Sequence, residues 1–293
     1  MPNLDFFRSQ VLVSWRRAGV AAVALAGVIL VSAPGHAAPS ADLWPRWQAH
    51  DAASTQRIDH QEWDQLLSTY LRTGSDGVNR VDYAGLKRTD RPSLEAYLSR
   101  LSETPISRFN RNEQFAYWVN LYNALTVKVI VDHFPVKSIR DIDISPGLFA
   151  NGPWGAKLVT VEGEKLSLDD IEHRILRPIW RDPRIHYAVN CAAIGCPNLN
   201  PVAFTADNTE PMLDKAAVAY VNDPRGARFD ANDLVVSSIY AWFEEDFGGN
   251  EAGVLRHIKR YARPPLSGLL EGRDDYSDHT YDWSLNGVSG AES

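Results

Sequence analysis

The sequence predicts an α+β protein in which a buried central helix packs on a small, mostly antiparallel sheet. Segments with helical spacing of apolar residues are intermingled with short segments of alternating polarity, which is typical of this class. In addition, residues 112–134 (NEQFAYWVNLYNALTVKVIVDHF) form the longest helical candidate and are apolar almost all round. A helix of that kind is expected inside a larger fold, with other elements on every side.

The N-terminal segment predicts a secretory signal peptide. Arg8, Arg16 and Arg17 precede a 14-residue apolar run at residues 18–31, and small residues lead to a cleavage site after Ala37. The run is shorter than the ~20 residues that a spanning helix needs, so retention as an uncleaved anchor is the less favoured alternative. We therefore expect a periplasmic or secreted protein with no stable membrane span after signal cleavage.

The predicted organisation is a signal peptide at residues 1–37, an N-terminal leader at 38–58 and a single α+β domain at 59–293. Removal of the signal peptide changes the 30 basic and 37 acidic residues to 27 and 36, which gives a net charge of −9. This acidic balance argues against nucleic acid and anionic membrane surfaces as partners. The sequence indicates no cofactor.

The first part of the domain is predicted to be mainly helical. Helical spacing occurs at residues 60–72 and 92–101, and a short strand is predicted between them at 77–83. On the central helix, Asn120 and Asn123 share a face with apolar side chains. Because buried amides need partners, these two either fix neighbouring loop backbone or belong to a functional site.

A polar residue also interrupts the next predicted helix. A strand is expected at residues 157–161, and Ser167 is expected to cap a helix that ends near Leu176. Glu172 lies inside the apolar stripe of this helix, and His173 lies at its edge. A carboxylate in that place either pairs with an arginine such as Arg184 or has a catalytic role. The stripe is formed by Leu168, Ile171, Ile175 and Ile179.

The remaining predicted elements are a strand at 184–191, a helix at 211–221, a strand at 234–239, a helix at 252–262 and a final strand at 281–286. Residues 242–249 (WFEEDFGG) carry three apolar rings and three acids. We expect the rings to pack inward and the acids, Glu244, Glu245 and Asp246, to be solvated; the alternative is that the acids line a cleft.

One histidine and both cysteines of the chain occur together in HYAVNCAAIGCPNL, residues 186–199. Alternation along a strand directs Cys191 to the apolar face, away from His186, and leaves Cys196 in a turn that could fold back over the histidine. Three interpretations follow: a thiol nucleophile beside its base, a disulfide, or part of a metal site. The metal interpretation lacks a matching second pair of ligands, so no metal is predicted.

Five ordered blocks resemble the domain-of-unknown-function family 547, and the resemblance covers roughly residues 72–286. They are YWVNLYNAL (117–125), LSLDDIEHRILR (166–177), DPRIHYAVNCAAIGCPNL (182–199), WFEEDFGG (242–249) and YDWSLN (281–286). The resemblance further implies a relationship to the papain-like and transglutaminase-like thiol enzymes, which place a histidine on a strand beside a buried helix. Those enzymes carry the nucleophilic cysteine at the start of that helix, whereas residues 115–120 contain none.

The leading hypothesis is an exported thiol-dependent hydrolase or acyl transferase that acts on an amide or peptide bond of a peptide or protein substrate. Cys196 would be the nucleophile and His186 its base, while Glu172, Asn120 and Asn123 would orient the base or polarise the substrate. The alternative is a non-catalytic, envelope-associated binding domain in which Cys191 and Cys196 form a disulfide.

Overall fold

A computed structural model describes residues 39–147 and 152–288. The predicted signal peptide lies outside these described residues. From residue 38 onward the chain clusters as one compact unit. Among the described residues, no helix combines the length and the apolar character needed to cross a membrane.

The first part of the described chain is mainly helical, as predicted. In order it contains a 3-10 turn (Pro45–Gln48), α1 (Gln61–Tyr70), β1 (Leu71–Thr73), β2 (Asn79–Val81), α2 (Tyr83–Thr89), α3 (Arg91–Glu103), a 3-10 turn (Ile106–Arg108), α4 (Arg111–His133) and a 3-10 turn (Ile139–Asp141). The short helix α2 was not predicted. It begins where the Asp82 carboxylate accepts a hydrogen bond from the Gly85 N–H at 2.8 Å, which is a helix cap.

The second part mixes short strands with helices. It contains β3 (Val159–Val161), β4 (Glu164–Leu166), a π-helix (Asp170–Leu176), α5 (Arg177–Trp180), α6 (Ile185–Ala188), α7 (Thr209–Val221), β5 (Ala227–Asp230), β6 (Asp233–Ser237), α8 (Ser238–Trp242), α9 (Glu251–Tyr261), α10 (Leu266–Leu269) and β7 (Asp278–Thr280). The predicted α+β class is confirmed.

The strands of the described residues form three small sheets. Two are antiparallel hairpins, β1–β2 and β3–β4, and the third has the order β5-β6-β7 with its last pair parallel. The strand predicted at 281–286 is replaced by β7 just before it and by single bridges, Ala193 to Leu285 and Val81 to Gly287. The C-terminal segment therefore pairs with distant parts of the chain through isolated bridges.

Helix α4 is the centre of the larger hydrophobic core, and its side chains are buried over nearly the whole length. It starts where the Asn110 side chain accepts hydrogen bonds from the N–H groups of Asn112 and Glu113, both at 3.1 Å. Its principal neighbours are helices α2 and α3 and the π-helix. A second core forms between α7, the β5-β6-β7 sheet and α9.

The strand predicted at 184–191 is wrong, and the error affects the predicted site. Residues 185–188 form the short helix α6, which follows a turn in which the Asp182 carboxylate accepts from the Arg184 N–H at 2.8 Å. The apolar alternation of Ile185, Tyr187 and Val189 reflects burial on a helical turn followed by extended chain. The side-chain directions inferred for His186 and Cys191 from strand alternation therefore do not hold.

Candidate functional site

A polar centre forms around the π-helix. Its start is fixed reciprocally: the Ser167 hydroxyl accepts from the Asp170 N–H at 3.1 Å, and the Asp170 carboxylate accepts from the Ser167 N–H at 2.8 Å. The predicted Ser167 cap is thus present. The wider π-turn then departs from the predicted α-helical spacing, and Glu172 and His173, though consecutive, are both buried.

Glu172, His186, Asp246 and Arg177 form one connected network. The His186 Nε2–H donates to Asp246 Oδ2 at 2.7 Å, and the Arg177 Nε–H donates to the same oxygen at 2.6 Å. On the other side of the imidazole, Nδ1 lies 3.7 Å from Glu172 Oε1. The His186 ring also stacks on Phe243, with ring centroids 4.3 Å apart. Both ring nitrogens of His186 consequently face carboxylates.

The structure brings together His186 and Glu172 as predicted, but the arginine partner suggested for Glu172 was wrong. Arg184 instead pairs with acids outside the network, Asp182 at 2.6 Å, Glu210 at 2.9 Å and Asp214 at 2.9 Å. The expectation that Asp246 would be solvated is also wrong. Its side chain is only 20% exposed and bridges His186 to Arg177.

Burial and charge shift three pKa values around this network. Burial opposes ionisation of Asp246, but hydrogen bonds from His186 and Arg177 outweigh it and lower the pKa of this carboxyl to about 2. Burial lowers the pKa of His173 to about 4, so its Nδ1 is free to accept from Arg177 Nη1 at 3.1 Å. Burial and the neighbouring charges of Glu172 and Asp170 raise the pKa of Asp169 to about 6, because the attraction of Lys157 offsets only part of their effect.

Asn120 and Asn123 bind loop backbone. The Asn120 amide donates to the Phe204 carbonyl at 2.8 Å and accepts from the Phe204 N–H at 3.0 Å. Asn123 donates to the Ala188 carbonyl at 3.0 Å and accepts from the Asn190 N–H at 2.8 Å. This is the geometry of the structural alternative, in which the central helix fixes two loops.

The Cys191–Cys196 disulfide of the alternative hypothesis is present, with Cα atoms 6.3 Å apart. Both sulfur atoms contact the Tyr281 hydroxyl, at 2.9 Å from Cys191 Sγ and 3.0 Å from Cys196 Sγ. The predicted exposures are reversed: Cys196 is only 3% exposed, whereas Cys191 is partly exposed. Among the described residues, the His186 ring forms its hydrogen bond with Asp246, and no hydrogen bond joins it to either sulfur.

Two further buried asparagines, Asn190 and Asn286, shape the site and are not among the residues predicted from the sequence. Asn190 accepts from the Ala192 N–H at 2.9 Å and donates to the Pro197 carbonyl at 2.8 Å, which shapes the loop that holds the disulfide. Asn286 donates to Asn190 at 3.3 Å and accepts from the Tyr83 hydroxyl at 2.7 Å. Asn190 and Asn286 lie in two of the family-like blocks, where a buried polar side chain could have been suspected.

Four aromatic side chains cluster beside the disulfide. Trp242, Tyr281 and Trp283 lie with ring centroids 4.6 to 5.6 Å apart, and Trp154 extends the cluster from Trp283 at 5.7 Å. All four remain partly exposed, whereas Trp63 and other tryptophans of the core are buried. Trp154 and Trp283 pack against the larger core, and Trp242 and Tyr281 pack against the second core, without being fully buried.

The fold and the site define an α+β domain whose polar centre and disulfide loop are fixed to a central helix. Residues 106–221 match the family model described as "Protein of unknown function, DUF547", so this part of the chain is similar to that family. The matched range includes the central helix, the π-helix and the disulfide, and ends before Asp246 and Tyr281.

No curated protein and no solved structure matches the chain. The papain-like and transglutaminase-like relationship implied by the resemblance is not supported by these comparisons. In the parts of the chain that the structure describes, no group of three or more histidine, cysteine, aspartate or glutamate side chains is arranged to hold a metal ion.

Proposed function

We propose that this protein is an exported, envelope-associated binding domain that recognises a glycan through the aromatic cluster Trp154, Trp242, Tyr281 and Trp283. The observation that carries the proposal is the partial exposure of these four contacting rings on one part of the molecule. The C–H faces of sugar rings stack on the electron-rich faces of aromatic side chains, and tryptophan offers the largest such face.

Carboxylates at the edge of the cluster supply acceptors for sugar hydroxyl groups. Asp282 is exposed between Tyr281 and Trp283 in the sequence. Asp169, whose side chain is 41% exposed, is joined to the cluster through its N–H, which donates to the Trp154 carbonyl at 3.0 Å. Apolar faces combined with a few polar groups are what a binding site for a small polar ligand requires.

The groups that would have performed catalysis have structural partners in this arrangement. Both cysteines are in the disulfide, Asn120 and Asn123 bind backbone, and Asp246 and Arg177 satisfy one another beside His186. This favours the non-catalytic alternative over the thiol enzyme for the oxidised protein.

The binding proposal is tested by titrating the mature protein with soluble oligomers of N-acetylglucosamine while tryptophan fluorescence and heat are recorded. Trp242→Ala should weaken binding about tenfold or more, as loss of a central aromatic contact does. Trp180→Ala is the matched control, since Trp180 is partly exposed but contacts Phe115 away from the cluster. Equal affinity of Trp242→Ala and the parent protein, or no binding by the parent protein, would refute the proposal for this ligand.

A second candidate function is the thiol-dependent hydrolase or acyl transferase, restricted to the reduced protein. The observation that favours it is the position of His186 between Asp246 at 2.7 Å and Glu172 at 3.7 Å, because a catalytic imidazole needs an orienting carboxylate. Cys196 would remain the nucleophile.

A peptide amide substrate with a chromogenic leaving group separates this candidate from the first. Reduced parent protein should release the chromophore, oxidised protein should not, and Cys196→Ser should be inactive in both states. Turnover that is independent of reduction and of Cys196 would exclude the thiol mechanism.

A further inference from the structure

We propose that the Cys191–Cys196 disulfide is a thiol-exchange site, in which a small external thiolate attacks Cys191 and Cys196 leaves as the thiolate. This activity does not require the proposed glycan binding, although Tyr281 belongs to both arrangements. It rests on the different surroundings of the two sulfur atoms.

The two sulfurs differ in access. Cys191 is partly exposed, whereas Cys196 is only 3% exposed. Exchange begins when a thiolate approaches one sulfur of the disulfide from outside, so access decides which sulfur is attacked. The difference in exposure therefore favours attack of an external thiol at Cys191 over attack at Cys196.

The buried sulfur has the hydrogen bonds that a leaving thiolate needs. Cys196 Sγ accepts from the Cys191 N–H at 3.0 Å, a donor that Cys191 Sγ lacks among the hydrogen bonds of the described residues. The Tyr281 hydroxyl lies 2.9 Å from Cys191 Sγ and 3.0 Å from Cys196 Sγ, so it can donate to Cys196 when negative charge develops there. Donors to a developing thiolate stabilise it, which lowers the thiol pKa and makes it a better leaving group. Burial of the Tyr281 hydroxyl raises its pKa well above the usual range, so it stays a donor near neutral pH.

The loop keeps its shape through contacts other than the disulfide. The Ile194 N–H donates to the Ser284 carbonyl and the Gly195 N–H to the Asp282 carbonyl, both at 2.8 Å. Arg225 Nη1 donates to the carbonyls of Ile194 at 3.0 Å and of Cys196 at 3.1 Å. Opening the disulfide therefore leaves the two sulfurs close, which permits them to rejoin.

The close approach at Gly195 supports this rigidity. A Cβ atom at this position would lie 2.8 Å from the Asp282 nitrogen and 3.0 Å from the Asp282 oxygen, both backbone atoms. Only glycine allows the loop to lie directly against the C-terminal segment.

The reaction balances as two thiol–disulfide exchanges. The external thiolate sulfur forms a bond to Cys191 Sγ, the Sγ–Sγ bond breaks, and its electron pair remains on Cys196 Sγ. A second external thiolate then attacks the external sulfur of the mixed disulfide and releases the Cys191 thiolate. Two external thiols are oxidised to one disulfide, and the protein disulfide is reduced to two thiols.

Glutathione trapping on single-cysteine variants tests the assignment of the two sulfurs. After treatment with oxidised glutathione, Cys196→Ser should carry one glutathione on Cys191, as measured by intact mass. Cys191→Ser should remain unmodified while folded and react only in denaturant. Modification of folded Cys191→Ser without modification of Cys196→Ser would overturn the assignment.

The parent protein provides a test that does not depend on those variants folding. A short exposure to reduced glutathione, quenched with iodoacetamide, should yield a mixed disulfide whose fragment ions place glutathione on Cys191 and the alkyl group on Cys196. The reverse placement, or a disulfide that resists reduction until the protein unfolds, would contradict the proposal.

A tyrosine variant tests the stabilisation of the leaving sulfur. Tyr281→Phe keeps the ring but removes the hydroxyl, so disulfide reduction should slow by roughly threefold to tenfold. Tyr276→Phe is the control, because its ring packs against the second core and should leave the rate unchanged. An unchanged rate in folded Tyr281→Phe would exclude the hydroxyl from the exchange step.

Discussion

At the scale of single residues, Asp246 shows why the network is built as it is. Arg177 is only 3% exposed on its side chain, and a guanidinium so enclosed requires a carboxylate partner. Asp246 provides that partner and at the same time accepts from His186. One carboxylate oxygen therefore compensates a buried cation and fixes the imidazole.

The first prediction concerns removal of this charge. Asp246→Asn leaves Arg177 without a counter-charge, so the free energy of unfolding at pH 7 should fall by about 2–4 kcal/mol. Urea denaturation followed by circular dichroism measures the change. Glu245→Gln, at the exposed neighbouring position, is the control and should change stability by less than about 0.5 kcal/mol.

The difference in free energy of unfolding between the parent protein and Asp246→Asn should depend on pH. Because the folded-state pKa of Asp246 is about 2, below the ordinary value of ~3.9, its contribution is complete above pH ~4 and disappears as the pH falls through 2. The gap between the parent protein and Asp246→Asn should therefore narrow below pH ~4. A gap that stays constant down to pH 2 would contradict the assigned role.

Asp169 gives a prediction of opposite sign. Its pKa of about 6 in the folded protein lies above the unfolded value, so ionisation disfavours the folded state. Asp169→Asn should be more stable than the parent protein above pH 6, with no advantage below pH ~4. The gain should be under about 1 kcal/mol, because solvent screens a side chain that is 41% exposed. Thermal unfolding of the parent protein and Asp169→Asn at pH 4 and pH 7.5 measures the stability difference in each range.

At the scale of elements, the central helix holds the disulfide loop in place. Asn123 binds the backbone of Ala188 and Asn190, immediately before Cys191, and Asn190 continues the contact to Pro197. The helix therefore fixes the loop at both sides of the cysteine pair. This arrangement explains why a buried helix contains amides that cost free energy unless they are bonded.

The corresponding prediction is that Asn123→Ala destabilises the protein by about 2–3 kcal/mol, since it leaves a buried carbonyl and a buried N–H without partners. Disulfide reduction by glutathione should also become faster, because the loop gains freedom before Cys191. Asn112→Ala, exposed in the first turn of the same helix, controls for loss of an asparagine side chain. Unchanged reduction kinetics in folded Asn123→Ala would show that the helix does not constrain the loop.

The elements differ in how well the sequence predicts them. Long segments with regular apolar spacing, such as α4 and α9, are predicted within a residue or two because their pattern extends over several turns. The segment at 184–191 is mispredicted because four residues of apolar alternation fit a strand, while the Asp182 turn that precedes the helix depends on side-chain geometry. Short elements are decided by such local contacts, which periodicity does not contain.

The candidate site is predicted only in part for a related reason. His186 and Glu172 stand out because polar side chains interrupt apolar patterns, and they do meet. Asp246 belongs to an acidic run that resembles a solvated surface, and it enters the network only because the distant Arg177 needs a counter-charge. Pairings over 60 or more positions depend on the tertiary fold and leave no local pattern.

At the scale of the whole molecule, two buried histidines and the half-buried His257 make folding sensitive to acid. His60, His173 and His257 all have a pKa lowered to about 4, with burial as the largest cause in each. Each would take up a proton near pH 6.5 when unfolded but resists protonation in the folded protein. Asp169 acts in the opposite direction, since its folded form binds a proton near pH 6.

Between pH 6 and pH 4.5 the unfolded chain should therefore bind about two more protons than the folded protein, three at the histidines less one at Asp169. Each extra proton bound by the unfolded chain changes the free energy of unfolding by about 1.4 kcal/mol per pH unit. As the pH falls through this window, the free energy of unfolding should therefore decrease by roughly 3 kcal/mol per pH unit. Urea denaturation at closely spaced pH values measures the slope directly. His257→Gln should reduce the slope by about 1.4 kcal/mol per pH unit, the contribution of one proton. Replacement of the exposed His50 should leave the slope unchanged. A flat profile from pH 6.5 to pH 4.5 would mean that these histidines are protonated in the folded protein, which their enclosure by apolar and aromatic neighbours opposes.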